Sequence, residues 1–454
     1  MSRRKNGSSF LWMVILLAMA GAAAYVYTAD MFERDAPEIS VENNEYWNPK
    51  KPLIVKIKDQ SGLLSYKVSL QSGSETFVLA DEQFAMPQAE QLLKLKAPRR
   101  AFALKSDSVI VTIEATDASK WNFLAGNRAF VQKKFVVDSK RPSVGIVSNS
   151  YKISKGGSAI AIFKAEDSNL DKLYIETSFG KRFKPIPFYK EGYYISLLAW
   201  PVQESGFRAS IIATDLAGNR TKTNIPLYLK DRRYRVSKIK LSDRFLNGKV
   251  FELAEEYGVE EDADLISKFK FVNEELRKKN EELIHNITSK VDDIQIDSFD
   301  INTFYPLRNG KKVASFGDHR IYFYNGAKVS ESWHLGLDLA NVKMGKIKVS
   351  NPGEIVFAEE NGIYGNMPIL AHGLGLYTLY GHCSSLNVKE GDHVSSGEHI
   401  ANTGTSGYAM GDHLHFGVLV QGVEVRPEEW MDRQWIRLNV TDVIKDAKKI
   451  IERQ

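Results

Sequence analysis

Two short stretches decide how this chain is read: HLGLDLA, residues 334–340, and HLHFGVLV, residues 413–420. In the first, Leu335, Leu337 and Leu339 alternate with His334, Gly336 and Asp338. Period two predicts a strand with the leucines on the core face and the other three residues on the opposite face. In the second, Leu414, Phe416, Val418 and Val420 face one way, and His413, His415 and Gly417 face the other. Two apolar strands thus carry polar side chains, and a Gly-His pair, Gly381 and His382, lies between them in sequence. Together these residues can close one metal site. Imidazoles with a carboxylate are a common zinc set, and three protein ligands leave a fourth position open, as hydrolytic sites require. Any one of the histidines alone reads as an ordinary surface residue; the set on apolar strands does not.

Residues 314–430 resemble the lysostaphin-type (LytM-like) zinc metallopeptidases, which cut peptide bonds in bacterial cell walls. The resemblance is carried, in the family's order, by SFGDHR (315–320), HLGLDLA, NPGEIVFA (351–358), YGN (364–366), AHGLGLYTLYGHCS (371–384), VKEGDHVSSGEHIANTGTSG (388–407) and GDHLHFGV (411–418). It implies that His334, Asp338 and His415 are the ligands of a Zn2+ ion. It implies further that His382 and His413 are catalytic residues beside the metal, moving a proton or holding the oxyanion, with the division of labour open. The chemistry agrees: no HExxH helix supplies a glutamate base, and histidine titrates near neutrality. The implied substrate is the peptide stem or cross-bridge of peptidoglycan.

Cys383, the one cysteine, stands after His382 where the family usually has leucine. Adjacent strand residues face opposite sides, so it reads as a small apolar filler pointing away from His382. His372 is placed at the cleft, whereas His285, His319, His393 and His399 read as surface or loop residues. Tyr364, Tyr377 and Tyr380 read as packing, with a hydroxyl offered to substrate as the alternative.

At the N-terminus, Arg3, Arg4 and Lys5 precede eighteen uncharged, mostly apolar residues, Phe10 to Tyr27. That length suffices for a membrane-spanning helix, and the basic residues before it place the N-terminus in the cytoplasm. A signal anchor is expected; a signal peptide cleaved at Ala22-Ala23-Ala24 is the alternative. Either exports the rest of the chain, to the periplasm or the outside of the cytoplasmic membrane. A single cysteine excludes an internal disulfide, so the cores must hold the exported part. The formal charge of +5 over 454 residues gives no case for nucleic acid as partner.

Between anchor and peptidase lies a repeat. Residues 35–41 resemble 140–146, residues 54–68 resemble 161–175, IEATD (113–117) matches IIATD (211–215), and AGNR occurs at 125–128 and 217–220. Short alternating segments separated by turn residues predict two Ig-like β-sandwiches, 36–138 and 139–231, serving as a spacer or as wall-binding modules. In residues 232–295, Ile266, Phe269, Val272, Leu276, Leu283 and Ile287 recur at helical spacing. This predicts a helical linker packed on a neighbouring domain, with a short dimerising coiled coil or an arm that covers the cleft as alternatives. The expected chain is mainly β: residues 1–30 the basic tip and anchor, the two sandwiches, the helical region, an antiparallel peptidase domain at 296–432, and a helical tail at 433–454. Partners expected are peptidoglycan, the membrane, and regulatory, division or shape-complex proteins. The alternative function is a wall-binding activator of a separate amidase, or a cell-shape organiser.

Overall fold

The computed structural model describes residues 7–98 and 106–453. The basic residues Arg3, Arg4 and Lys5 lie outside the described residues. The chain is mostly β, with an apolar helix, Gly7–Thr28, ahead of the sheets. Its Ser9–Thr28 stretch, with mean hydropathy 2.0, is long and apolar enough to cross a membrane. Two compact units follow from the contacts: residues up to Arg141 with Asn169–Asp171 and Thr214–Arg220, and the remainder.

The first unit carries a six-stranded sheet. Its strands are longer than the sequence suggests: Leu53–Ser72 and Glu75–Leu95 form one hairpin of 20- and 21-residue strands. Gly62 and Pro87 are bulge positions within these strands, with register shifts between Lys58 and Ser65. Gly62 has φ +85°, and a Cβ there would meet the Pro87 ring at 2.7 Å.

The repeated ATD…AGNR has a physical basis. Asp117 accepts hydrogen bonds from the backbone N–H of Asn127 at 2.7 Å and from its side-chain amide at 2.9 Å. Asp215 does the same for Asn219, at 2.7 and 2.8 Å. In each turn the intervening glycine, Gly126 or Gly218, has φ +75°. Aspartate therefore clamps a turn that only glycine enters without strain.

In the second unit, two four-stranded sheets built from residues 143–224 accompany the peptidase-like sheet. That sheet runs in the order Lys311–Ala314, Leu337–Ala340, Leu414–Val420, Leu376–Gly381, Asn366–Ala371, Gly353–Glu360, His393–Val394, with Val423–Val425 added beside Leu414–Val420. These pairings are antiparallel. Leu414, Phe416, Val418 and Val420 enter one core with Leu337 and Leu339, as the alternation predicts.

Residues 232–295 are not helical throughout. They open with a strand, Val236–Lys240, paired in parallel with Asp318–Tyr324, which in turn pairs with Ala327–His334. Its alternation, with Ser237 buried between exposed Val236 and Lys238, is a strand pattern submerged in a charged stretch. Helical turns then run through residues 243–288, and Phe269, Val272, Leu276 and Ile284 pack on Tyr322, Ile363, Met367 and Leu379. Leu283, expected on the apolar seam, is exposed, and Ile284 takes the buried place. Asn280, read as an interruption of a coiled coil, is buried: its Oδ1 accepts from Ile363 N at 2.9 Å. The stripe therefore faces the chain's own sheet.

The C-terminal turns close the core that holds Leu414 and Phe416, where Val443, Ile444, Ala447 and Ile451 are buried. Glu429 stitches residues 427–430 to the strand Ser158–Glu166: its Oε2 accepts from Ser158 N at 3.1 Å, and Trp430 Nε1 donates to Ser158 Oγ at 3.0 Å. Burial pushes the Glu429 carboxyl up to about 7, against the Ser158 N–H and Arg426, which lower it. With its folded pKa raised, this group's contribution to stability is full below its ordinary value near 4.5 and is lost as pH rises through about 7. Glu429→Gln keeps the acceptor and cannot ionise. The variant is expected to exceed the parent at about pH 8 by on the order of 1–3 kcal/mol and to converge with it at about pH 4, checked by urea unfolding at both values.

Candidate metal centre

The strand predicted over HLGLDLA is broken. Ala327–His334 ends at His334, and a new strand, Leu337–Ala340, starts after Leu335 and Gly336. Leu335 leaves the main core for a small cluster with Val202 and Phe316. The reason lies in Gly336: a Cβ there would stand 2.3 Å from His415 Nε2, so the chain bends directly against that imidazole. Glycine makes the approach, and the bend lets His334 and Asp338 face one point from two strands.

Register supplies the rest. Asp338 pairs with His415 across the sheet, and Gly381 pairs with His415 from the other side. Asp338 Oδ1 lies 3.0 Å from His334 Nε2 and 2.9 Å from His415 Nδ1, and these two nitrogens are 3.2 Å apart. All three side chains are buried. His334 Nδ1 is 2.9 Å from the Ser315 carbonyl. A carbonyl only accepts, so Nδ1 carries the proton and Nε2 presents a lone pair to the cluster. A carboxylate and two imidazoles converging in a buried place can hold a cation, and two imidazoles with a carboxylate are a zinc-type donor set.

His413 and His382 stand beside this cluster. His413 Nε2 is 3.7 Å from Asp338 Oδ2, and its Nδ1 lies 2.7 Å from the Gly411 carbonyl. The His382 and His413 rings are 4.8 Å apart. His382 Nδ1 lies 2.9 Å from the Ser406 carbonyl. By the same donor argument both rings turn an unprotonated Nε2 toward the cleft. Burial, then the neighbouring imidazoles of His415 and His413, push His382 down to about 3. His382 also has φ +65°, a backbone conformation that non-glycine residues adopt at a cost. The five polar residues singled out in the sequence thus meet at one place.

The other expectations divide. Cys383 is fully buried, and burial pushes its thiol up to about 12. His372 is a correction: it does not line the cleft, but lies between the Pro352 carbonyl and the Thr378 hydroxyl, at 2.9 and 2.7 Å, against Phe304. Tyr377 and Tyr380 pack, the former donating to the Lys290 carbonyl. Tyr364 does reach the site, its ring edge-on to His415 at 5.5 Å.

The centre opens into a cleft of about 840 Å³. One wall was missed in the sequence: the strand Val236–Lys240 with Asp318, Arg320 and Trp333. Ser237 Oγ donates to Asp318 at 2.7 Å, and Arg320 Nε lies 3.5 Å from the same carboxylate. The available signal was the alternation of Asp318, Arg320 and Tyr322 in one short stretch, which also describes an ordinary solvated strand.

Fold and site together are a β-sheet domain with a buried His/Asp/His group opening into a cleft. Residues 332–427 match peptidase family M23, and the chain carries a LytM-type M23 domain there. It is 34% identical over 106 residues to DD-carboxypeptidase/endopeptidase Mpg of Neisseria meningitidis, covering 23% of this chain and 24% of that protein. It is 33% identical over 88 residues to murein hydrolase activator EnvC of Escherichia coli, covering 19% and 21%. Among solved structures, the catalytic domain of lysostaphin from Staphylococcus simulans is 30% identical with TM-score 0.24, covering 27% of this chain and 93% of that one. The matched stretch spans about a quarter of the length of these curated relatives.

Gly336→Ala is expected to displace the His415 imidazole while leaving the β-sheet circular dichroism intact. Affinity for a divalent transition metal should fall about 10-fold or more, in the range seen when partners of metal ligands are lost, measured by equilibrium dialysis.

Proposed function

We propose that this protein is a single-pass, membrane-anchored zinc endopeptidase that hydrolyses peptide bonds in the stems or cross-bridges of peptidoglycan, on the outer side of the cytoplasmic membrane. The observation that carries the reading is the meeting of His334, Asp338 and His415 with His382 and His413 at the floor of one open cleft. The apolar helix Gly7–Thr28 supports the anchor, and similarity to a DD-carboxypeptidase/endopeptidase supports the reaction. Similarity to EnvC supports a second reading, a wall-binding activator of a separate hydrolase. The complete set of His334, Asp338 and His415 weighs against it, since a binding protein has no use for a buried group of metal-type donors.

In this reading His334, Asp338 and His415 hold the metal. Zinc supplies a Lewis acid and an acidified water. The chain's own residues do the remainder. The Gly411 and Ser406 carbonyls fix the rings of His413 and His382 so that each turns Nε2 into the cleft. Of the two, His413 lies against Asp338, its Nε2 3.7 Å from Asp338 Oδ2. It is the group suited to take a proton and deliver it to the leaving amine. His382, driven neutral, acts as a fixed polar partner.

The cleft favours acidic peptides. Arg235, Lys238, Lys240, Lys312, Arg277 and Arg320 line it, against Asp318 and the ligand Asp338. Peptidoglycan stems carry free carboxylates, and an electropositive cleft concentrates such a substrate. The domain plan proposed is an anchor at 1–30, Ig-like modules at 36–138 and 139–231 acting as a spacer, a connecting region at 232–295, the peptidase at 296–432 and a tail at 433–454.

Asp338→Ala should lose zinc, whereas His413→Ala should retain about one zinc per chain, by elemental analysis, and lose about 100- to 10,000-fold in amine release from isolated peptidoglycan. Zinc and cleavage retained in both variants would overturn the roles. Arg235→Glu with Lys240→Glu should raise KM for cross-linked muropeptides roughly 10-fold with kcat little changed, and the loss should shrink in high salt.

A further inference from the structure

The segment leaving the apolar helix is not a free tether. After Thr28 the chain makes one turn, Asp30–Phe32, and is then bound to the first unit's sheet. Lys120 N donates to the Met31 carbonyl at 2.7 Å. Ser119 Oγ and Asn127 Nδ2 both donate to the Glu33 carbonyl, at 2.6 and 2.9 Å. Ser61 N donates to Glu33 Oε2 at 3.0 Å. The helix end and the loop after Asp117 are therefore fixed to one another.

That loop has an unusual surface. Asn122, Phe123 and Leu124 have φ +55°, +57° and +71°, three consecutive non-glycine residues in the left-handed region. The side chains so presented are apolar: Phe123 is 101% exposed and Leu124 73%. A water-facing turn would be expected to place glycine or asparagine in such a run and to keep phenylalanine out of it.

The loop's position explains what covers it. Arg34 Cζ lies 4.3 Å from the Tyr27 ring centroid and 4.5 Å from that of Trp121. Tyr27 belongs to the membrane-length stretch itself. One guanidinium thus bridges the last turn of the span and the first residue of the loop. A Trp-Arg-Tyr cluster at the end of an apolar span is the composition of a membrane–water interface, where amphipathic rings sit at the headgroup level.

We propose that residues 121–124 are a second membrane contact, with Trp121 in the headgroup layer and Phe123 and Leu124 immersed in the outer-leaflet lipid. The inference rests on the reading of Gly7–Thr28 as an uncleaved anchor. The loop and helix together make two points of attachment, which set how the first unit stands on the bilayer.

The test uses the full chain in vesicles of mixed zwitterionic and anionic phospholipid. A nitroxide is placed at Phe123→Cys and, separately, at Glu75→Cys. The native Cys383 is fully buried and does not compete for the label. Glu75 adjoins the far end of the hairpin, since Gln71 pairs with Ile110, at the opposite end of Ser108–Asp117 from the loop. Collision with lipid-soluble oxygen should dominate at position 123, and collision with a water-soluble nickel chelate at position 75. Protein that floats with the vesicles but shows nickel-dominated collision at both positions would overturn the loop contact and leave the anchor standing. Failure to float would overturn the anchor, and the loop contact with it.

Discussion

Three electron-rich atoms, His334 Nε2, Asp338 Oδ1 and His415 Nδ1, face one another at 2.9–3.2 Å in a buried place. Ordinary packing does not favour that arrangement, because three polar groups are desolvated together. The surroundings are built to impose it. The Ser315 carbonyl takes the outer proton of His334, so that ring cannot turn over without losing its partner. The Gly411 and Ser406 carbonyls do the same for His413 and His382. Backbone oxygens on loops thus decide the tautomer of each flanking imidazole, and the sheet decides where the rings stand.

The sheet achieves this with one central strand. Leu414–Val420 carries His415 between Asp338 on one neighbour and Gly381 on the other, while Leu414 and Phe416 hold the strand in the core. A one-residue slip would exchange the two faces and bury the imidazole among leucines. Two glycines then make the room that side chains would deny: Gly336 beneath the His415 ring, and Gly404, where a Cβ would stand 2.6 Å from Ser384 N. Positioning and stability are therefore the same property here, since the residues that fix register are those that fill the core.

What could be read from the sequence follows from this. His334, Asp338, His413 and His415 were legible because polar side chains on apolar alternating strands are costly unless used, and His382 was legible through the family resemblance. The bend at Gly336 was not legible, since perfect alternation in HLGLDLA also describes an unbroken strand; the deciding contact, with His415, is 79 residues away along the chain. His372 was misplaced for a similar reason: a histidine in a glycine-rich stretch near His382 shares its sequence neighbourhood but points to Pro352 and Thr378. The long hairpin of the first unit was hidden because Gly62 and Pro87 mark bulges as readily as they mark ends. The wall strand Val236–Lys240 was hidden by its lysines and by the arginines before it, which resemble the linker around them.

That wall changes the meaning of the region upstream of the catalytic sheet. An arm that covers the cleft would place bulky side chains over His413 and Asp338, and the cleft is instead open, with Val236–Lys240 forming its side. The strand extends the sheet that ends in His334, so its position is tied to the ligand by two ladders of hydrogen bonds. The helical turns behind it bury Phe269, Val272 and Leu276 against Tyr322 and Met367, which holds that sheet in place. Arg235, Lys238 and Lys240 therefore reach the cleft on a rigid element. Fixed cations at a cleft wall select among substrates by charge at little entropic cost. On this physical ground the upstream region is a fixed, basic side of the cleft that leaves it open.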